Sequence, residues 1–412
     1  MDKWIWALLI LLLILLVYSF FNNRTEYFTG SPMTAMTSMA PMTAMAPMTA
    51  MTPEDNYTSL KSTSLVVPDN WETLIHQNVT NAIHKNKIPG ALVSLQVGKA
   101  NKIYHFGTGF ILDSVPIKTD MYFRIGSLTK SFVSTLILML RDKGLINLDD
   151  KLSKWCPQIA NADSITILMM SNMTSGIRNY VAVNMFIDMI KKDIYRSWTT
   201  EELVKISQMD PPYCDPGKCW TYSNTNYVLL GYIVSTIVGK PLDKILDEWI
   251  FKPLQLNNTF YALDANLPTP FVVGYSDFQC ADIGQSTFWN PTIANAAGSI
   301  VSTIDDVRVW AEAVGTGSLL SAQSHADQIA PTLSTMKPFN KTTYYAMGVG
   351  VRNGYITHAG DIAGYNSSFA YNPVYGISLA VVANRSSQEV ANYSVFLTEA
   401  VTSVLTPHAI LN

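Results

Sequence analysis

Hydrophobic and polar residues follow three regimes along this chain. From Ile5 to Phe21 the run is almost unbroken apolar, with Lys3 before it and Asn22-Asn23-Arg24 after it. Such a run sits near the lower limit for a spanning helix, roughly 17–25 residues. A cleaved signal peptide is the competing reading. It needs small residues at the cut, and "VYSFFNNR" offers bulky ones, so an uncleaved anchor is expected over residues 1–24. Lys3 and Arg24 nearly balance and leave the orientation unspecified. The second regime, 25–67, is low in charge and repeats "PMTAM" from Pro32, Pro41 and Pro47. Proline at short intervals with little to bury predicts a Met/Thr/Pro/Ala linker or stalk.

The third regime, 68–412, has the patterning of an ordered domain. "WETLIHQNVTNAIHKN" has helical spacing, and "ALVSLQVG" and "KIYHFGTGF" alternate as strands do. The stretch after Lys130, "SFVSTLILMLRDKG", is apolar on nearly every side and ends in basic residues and Gly144. It reads as a buried helix. Further helices are expected in "TTEELVKISQM", with a Thr cap, in "TNYVLLGYIVSTIVG", and in "STIDDVRVWAEAV", where Thr303 and Asp306 mark a start. Strands return in "YYAMGVGV", "YITHAG", "NSSFAYNP" and "GISLAVVAN", and "VANYSVFLTEAVTSVL" reads as a last helix. Strands at both ends with helices between predict an α+β domain. One sheet is completed by both ends, and residues from about 145 to 300 form a helical lobe.

Composition narrows the function. Formal charge is −3 and the charged fraction 14%. There is no basic excess, so nucleic acid is not an expected partner. Four cysteines lack zinc-type spacing. Cys214 and Cys219 flank the turn sequence "DPGK", which suits a short-loop disulfide and reduced thiols alike. His76, His84, His105 and His358 show no paired metal-ligand spacing, and no metal is expected. Asn-x-Ser/Thr sequons at Asn56, Asn78, Asn172, Asn257, Asn340, Asn366, Asn384 and Asn392 would make a glycoprotein only if the domain faces a secretory lumen or the exterior.

Three short motifs carry candidate chemistry. Ser127 and Lys130, in "FRIGSLTKSF", fall three residues apart in the first turn of the buried helix, hence on one face. A lysine at the rim of an apolar core loses solvation, which favours its neutral form and lets it activate a serine. A second such match, Ser334 and Lys337, is followed directly by Pro338, so no helix carries it onward. Tyr222-Ser223-Asn224 precedes an apolar helix, and its plain reading is a helix cap. His358-Ala359-Gly360 ends a strand, where a lone histidine is commonly structural and Gly360 and Gly364 serve a turn or a close backbone approach.

In this order "FRIGSLTKSF", "YSNTNYVLLGYIV" and "HAGDIAGY" resemble the serine β-lactamase and penicillin-binding-protein superfamily. Within it the resemblance is to class C β-lactamases, D-alanyl-D-alanine carboxypeptidases and related esterases. It extends from about residue 70 to 405 and includes "ITILMMSNMTSGI", "YCDPGKCWTYSN" and "NAAGSIVSTIDDVRVW". It implies a β-lactamase/transpeptidase-like α+β fold, an antiparallel sheet flanked by helices plus a helical lobe, here preceded by the membrane helix. It implies a serine hydrolase without cofactor acting on a small-molecule substrate through an acyl-enzyme. Ser127 would be the nucleophile, Lys130 and Tyr222 its proton carriers, and Tyr222 beside the Lys130 cation would have a lowered pKa. Asn224, His358, Ala359, Gly360 and Asp361 would bind substrate, with the N–H groups of Ser127 and Asp361 as oxyanion donors.

The departures bear on substrate. The third motif is usually Lys-Thr-Gly in class C β-lactamases. Here Ala359 replaces the hydroxyl that binds a substrate carboxylate, and Asp361 adds a negative charge, so carboxylate-bearing β-lactams or D-Ala peptides should bind less well. Met173 stands where relatives often have His. A β-lactam, an ester and a small amide or peptide all remain open as substrates. The rival from another class is a catalytically silent membrane or particle-surface protein that kept the fold for binding. The anchor predicts a single-pass membrane location with the domain outside the bilayer.

Overall fold

Strands buried on both faces build one eight-stranded sheet in a computed structural model of the chain, which describes residues 65, 67–98, 100–110, 114–278, 284–390 and 392–411. The expected anchor over 1–24 and most of the linker over 25–67 lie outside the described residues. Among the described residues no helix is long and apolar enough to cross a membrane.

In chain order, the helices are α1 (Trp71–Asn86), α2 (Thr129–Asp142), α3 (Ile167–Ser171), α4 (Asn184–Lys192), α5 (Thr200–Ser207), α6 (Asn224–Val238), α7 (Leu242–Leu246), α8 (Ile304–Thr316), α9 (Ala322–Gln328) and α10 (Tyr393–Leu405). The large sheet uses β1 (Gly90–Val97), β2 (Ala100–Phe110) and β3 (Val115–Pro116) from the start of the domain. Short pairings β4 (Phe123–Arg124), β5 (Phe260–Tyr261), β6 (Tyr275–Ser276), β7 (Gly284–Gln285) and β8 (Ile300–Ser302) follow in the middle. The end supplies β9 (Thr343–Tyr345), β10 (Gly350–Arg352), β11 (Tyr355–Ile362), β12 (Tyr365–Asn372), β13 (Ile377–Ala383) and β14 (Arg385–Ser386).

The sheet order is β3-β2-β1-β13-β12-β11-β10-β9, with antiparallel neighbours throughout. Both ends of the domain meet at the β1–β13 pair, where Val93 faces Val381. Side chains alternate between faces there. Ala91, Val93 and Leu95 with Leu379 and Val381 pack under Ile75 and Val79 of α1 and Leu397 and Val401 of α10. Leu92, Ala380 and Val382 face the other way, into the larger core shared with α2, α6 and α8.

Helix α2 runs through that larger core with few exposed positions, as its nearly all-round apolar sequence requires. Its buried polar residues fasten neighbours. Ser131 accepts from Trp310 Nε1 at 2.8 Å, and Ser134 donates to the Met347 carbonyl at 2.8 Å. Phe132 stacks on Trp310 with centroids 3.7 Å apart.

Four details differ from expectation or were open. "YYAMGVGV" is not one strand: β9 and β10 pair across a turn in which Ala346 N–H donates to Val349 O at 2.8 Å and Gly348 takes φ 70°. Thr303 is the N-cap of α8, as expected, but makes no side-chain cap bond, and the Asp306 carboxylate accepts from Asn258 N–H and the Thr259 hydroxyl. Cys214 and Cys219 form a disulfide, while Cys156 is a buried free thiol. Of the sequons, Asn172, Asn366 and Asn384 are buried, so a glycan on any of them is incompatible with the fold.

Strand β11 crosses the segment before α2 with no clearance at Gly360. A methyl there would stand 2.1 Å from the Ile125 carbonyl oxygen and 2.5 Å from Ser367 Oγ. Gly360→Ala should therefore destabilise the domain by about 1–3 kcal/mol through overpacking. Urea unfolding followed by circular dichroism measures this, and an unchanged midpoint would show that the two segments part easily.

Candidate active site

The site begins where the chain turns from β4 into α2. Gly126 takes φ 52°, a single 3-10 turn spans Gly126–Leu128, and α2 follows without a break. Ser127 sits in that turn and Lys130 in the first turn of the helix. Lys130 Nζ lies 2.9 Å from Ser127 Oγ and donates to the Ala297 carbonyl at 2.8 Å. The lysine is 0% exposed. Burial pushes its amine well below the ordinary value. The positive end of the α2 dipole acts in the same direction. A neutral amine can give one N–H to Ala297 and offer its lone pair to the Ser127 proton.

Tyr222 arrives from a loop pinned along 173–176. Thr221 N–H donates to Met173 O at 3.0 Å, Gly217 N–H to Thr174 O at 2.8 Å, and Tyr213 N–H to Gly176 O at 2.8 Å. The Cys214–Cys219 disulfide closes the loop between these bonds. Met173, at φ 67°, turns its sulfur to Ser223 N–H and to the Asn226 amide, each at 3.4 Å. The sulfur thus positions the start of α6. The Tyr222 hydroxyl bonds to Ser127, and its ring centroid lies 4.9 Å from Lys130 Nζ.

The Tyr222 pKa corrects an expectation. Burial drives it upward, opposed by the Ser127 bond and reinforced by the Asp361 charge. The burial that favours a neutral Lys130 also weakens the cation that was to lower it. Tyr222 is a neutral hydroxyl here, suited to relaying a proton and unsuited to resting as a phenolate.

Asn224 is the first residue of α6, and its N–H donates to Asn179 Oδ1 at 3.1 Å. On β11, His358 and Gly360 are buried while Ala359 and Asp361 are exposed. His358 bonds through Nδ1 to Ala359 O at 2.7 Å and through Nε2 to Tyr345 Oη at 3.1 Å. Its ring is pushed down to about 3, first by burial and then by Lys130, against the bond to Ala359. The close approach at Gly360 brings the Asp361 backbone against Gly126, where an added methyl would lie 3.0 Å from the Asp361 nitrogen. The Asp361 carboxylate accepts from Asn366 Nδ2 at 2.9 Å. Among the described residues no group of three or more His, Cys, Asp or Glu could hold a metal ion.

Ala297 and Tyr345 were not singled out from sequence. Ala297 acts through its carbonyl, which side-chain identity does not reveal. Tyr345 stood in a stretch read as a plain strand, and nothing local ties it to His358.

A family model described as Beta-lactamase matches residues 75–400. Penicillin-binding protein 4* of Bacillus subtilis is 27% identical over 177 residues, 42% of this chain and 38% of that one. A beta-lactamase of Escherichia coli K12 is 24% identical over 255 residues, 61% of this chain and 63% of that one. These matches span less than two thirds of either relative. Among solved structures, a D-stereospecific amidohydrolase from Streptomyces is 26% identical with a TM-score of 0.72, covering 82% of this chain and 99% of that one.

An amine discharged by burial leaves a stability signature. With the folded-state pKa below the ordinary 10.5, the folded chain holds fewer protons than the unfolded chain between the two values. Unfolding is then favoured toward the acid side of that window and stability rises with pH across it. Lys130→Met should raise stability at neutral pH by about 0.5–2 kcal/mol, a gain that shrinks as pH climbs toward the ordinary value. Denaturant melts at several pH values measure this. A gain that does not vary with pH would mean the amine stays charged when buried.

Proposed function

We propose, from the premise that the chain belongs to the beta-lactamase family, that it is a serine hydrolase working through an acyl-enzyme on a small amide, peptide or ester. The observation that carries this reading is the 2.9 Å approach of Ser127 Oγ to a buried amine.

Ser127 Oγ attacks the substrate carbonyl carbon as its proton passes to Lys130 Nζ. The oxyanion is held by the N–H groups of Ser127 and Asp361. As the carbon–heteroatom bond breaks, the Tyr222 hydroxyl gives its proton to the leaving group and regains one from Lys130. Water, deprotonated through the same pair, then attacks the ester carbonyl and releases acid and free serine. Asn224 orients the substrate amide.

Local charge favours amides and esters over carboxylate-bearing β-lactams. His358 is uncharged, Ala359 presents a methyl, and Asp361 brings a negative charge. The likeness to a D-stereospecific amidohydrolase supports an amide as substrate. The apolar run Ile5–Phe21 and the proline-rich stretch after it support a hydrolase held at a membrane and spaced from it.

Intact mass of the protein and of Ser127→Ala, after incubation with a penicillin, an activated ester and a fluorophosphonate, tests the reading. An adduct on the wild type alone is expected. An adduct that survives in Ser127→Ala refutes the nucleophile, and no adduct with any reagent on a folded wild type favours a silent binding protein. Lys130→Ala should slow acylation by roughly 10²–10⁴-fold. His358→Lys should speed reaction with the penicillin. No gain would assign the obstacle to Ala359 or Asp361.

A further inference from the structure

Strand β11 passes the head of α10 at the edge of the site, and two asparagines tie them together. Asn366, buried on β12, donates through Nδ2 to Asp361 Oδ1 at 2.9 Å and to Tyr365 O at 3.2 Å. Its Oδ1 accepts from Tyr393 N–H at 2.7 Å. Asn392 donates through Nδ2 to Gly360 O at 2.8 Å, and its Oδ1 accepts from Ser394 N–H at 2.9 Å. A helix head is where an anion would look for donors. Here the N–H groups of Tyr393 and Ser394 are already taken, and so are both hydrogens of the Asn366 amide. What this corner presents outward is the Asp361 carboxylate, on the exposed side of β11.

The corner adjoins the reacting atoms. The Asp361 backbone lies against Gly126, the residue before Ser127, where an added methyl would stand 3.0 Å from the Asp361 nitrogen. The Asp361 charge reaches Tyr222, whose hydroxyl bonds to Ser127. In the reaction set out above, Tyr222 gives its proton to the leaving group. The field of the carboxylate is therefore felt on that side of the breaking bond. Basic side chains on the same segments bring little positive charge to it. Burial favours the uncharged forms of Lys130 and His358. Arg124 is buried and turns its guanidinium to Thr287 O at 3.3 Å and Ala265 O at 2.7 Å.

We propose that the substrate carries a positive charge on its leaving group, seated at the Asp361 carboxylate: an ester or amide of a cationic alcohol or amine. The proposal names the substrate class of the acyl-enzyme reading and rests on that reading for its kinetic test. The bond from Asn366 leaves the carboxylate its full charge, so it attracts a cation while keeping its place. Seating a cation there has a second effect. It offsets the negative charge that helps hold the proton on Tyr222, and so eases transfer of that proton to the leaving group.

The test uses acetylcholine and its carbon isostere, in which tert-butyl replaces trimethylammonium. In both, the ester C–O bond breaks, the acetyl group passes to Ser127 and then to water, and the alcohol leaves. Acid release by full-length wild type and Asp361→Asn is followed on a pH-stat. The substitution keeps the backbone N–H and an acceptor oxygen for Asn366 and removes only the charge. The acetylcholine-to-isostere ratio of kcat/KM, compared between proteins, cancels the difference in leaving ability and any change common to both substrates. The wild-type ratio should exceed that of the variant roughly threefold or more at low salt. It should fall as salt rises to about 1 M, where charges are screened beyond about 3 Å. Equal ratios in the two proteins, or a wild-type ratio that salt does not change, overturn the proposal. A matched pair with trimethylammonium or tert-butyl ending the acyl chain locates the charge. A preference for the cation confined to that pair overturns the assignment to the leaving group.

Ligand-observed NMR titrations with choline and the isosteric alcohol give a second readout that needs no turnover. Choline should bind wild type several-fold more tightly than Asp361→Asn, and the neutral alcohol should bind both alike. Choline that binds both proteins equally, or neither, overturns the proposal. If neither ester is hydrolysed by wild type, the acyl-enzyme reading is in doubt and these titrations still decide whether Asp361 seats a cation. If the variant does not fold, the salt dependence of the wild-type ratio decides it alone.

Discussion

Lys130 loses water on every side and forms no ion pair among the described residues. Its amine meets the Ser127 hydroxyl, the Ala297 carbonyl and the faces of Tyr222 and Tyr227, whose centroids lie 4.9 and 5.8 Å away. Burying an unpaired ammonium costs several kcal/mol, which favours the neutral amine. The rest of the site follows from that discharge. A neutral amine can take the serine proton, and a tyrosine beside it keeps its own. A histidine beside it is kept neutral by its own burial. The all-round burial of α2 is thus both a folding feature and the source of the chemistry.

Positioning is done largely by backbone, and side chains too large or too small would spoil it. Gly126 and Gly360 let β11 lie directly on the segment that carries Ser127. The Tyr222 loop is held by carbonyls of 173–176, by the Met173 sulfur and by the disulfide. Ser134 fastens the β9–β10 turn to α2 and, through it, Tyr345 to His358. Four segments far apart in sequence are fixed to one another by short, mostly main-chain bonds. A site built this way has little freedom to reorganise on binding.

The charges that remain give the site its character. Burial favours the uncharged form of Lys130 and of His358, and Asp361 is an exposed carboxylate whose field reaches Tyr222. A carboxylate-bearing ligand therefore meets no compensating cation from these groups, whereas a neutral amide or ester meets no such penalty.

Periodicity alone made the α+β division legible, as it did the joining of both ends of the domain in one sheet and the course of α1, α2, α6 and α10. In each of these, local pattern and burial point the same way. The spacing of Ser127 and Lys130 was equally legible, since three residues on a helix fix a shared face. The interruption of "YYAMGVGV" was not, because it arises from the fit of Gly348 against α2, a contact with no trace in the local pattern. The pKa of Tyr222 was misjudged for a related reason. Sequence supplied the neighbouring lysine but not the depth of burial, and burial decides which of two adjacent groups is charged. The sequence by itself determined which residue types were available and which shared an element. Only the tertiary structure decided their protonation, the carbonyl of Ala297 as a partner and the placement of Tyr345, because desolvation and main-chain contacts between distant segments exist only once the chain has folded.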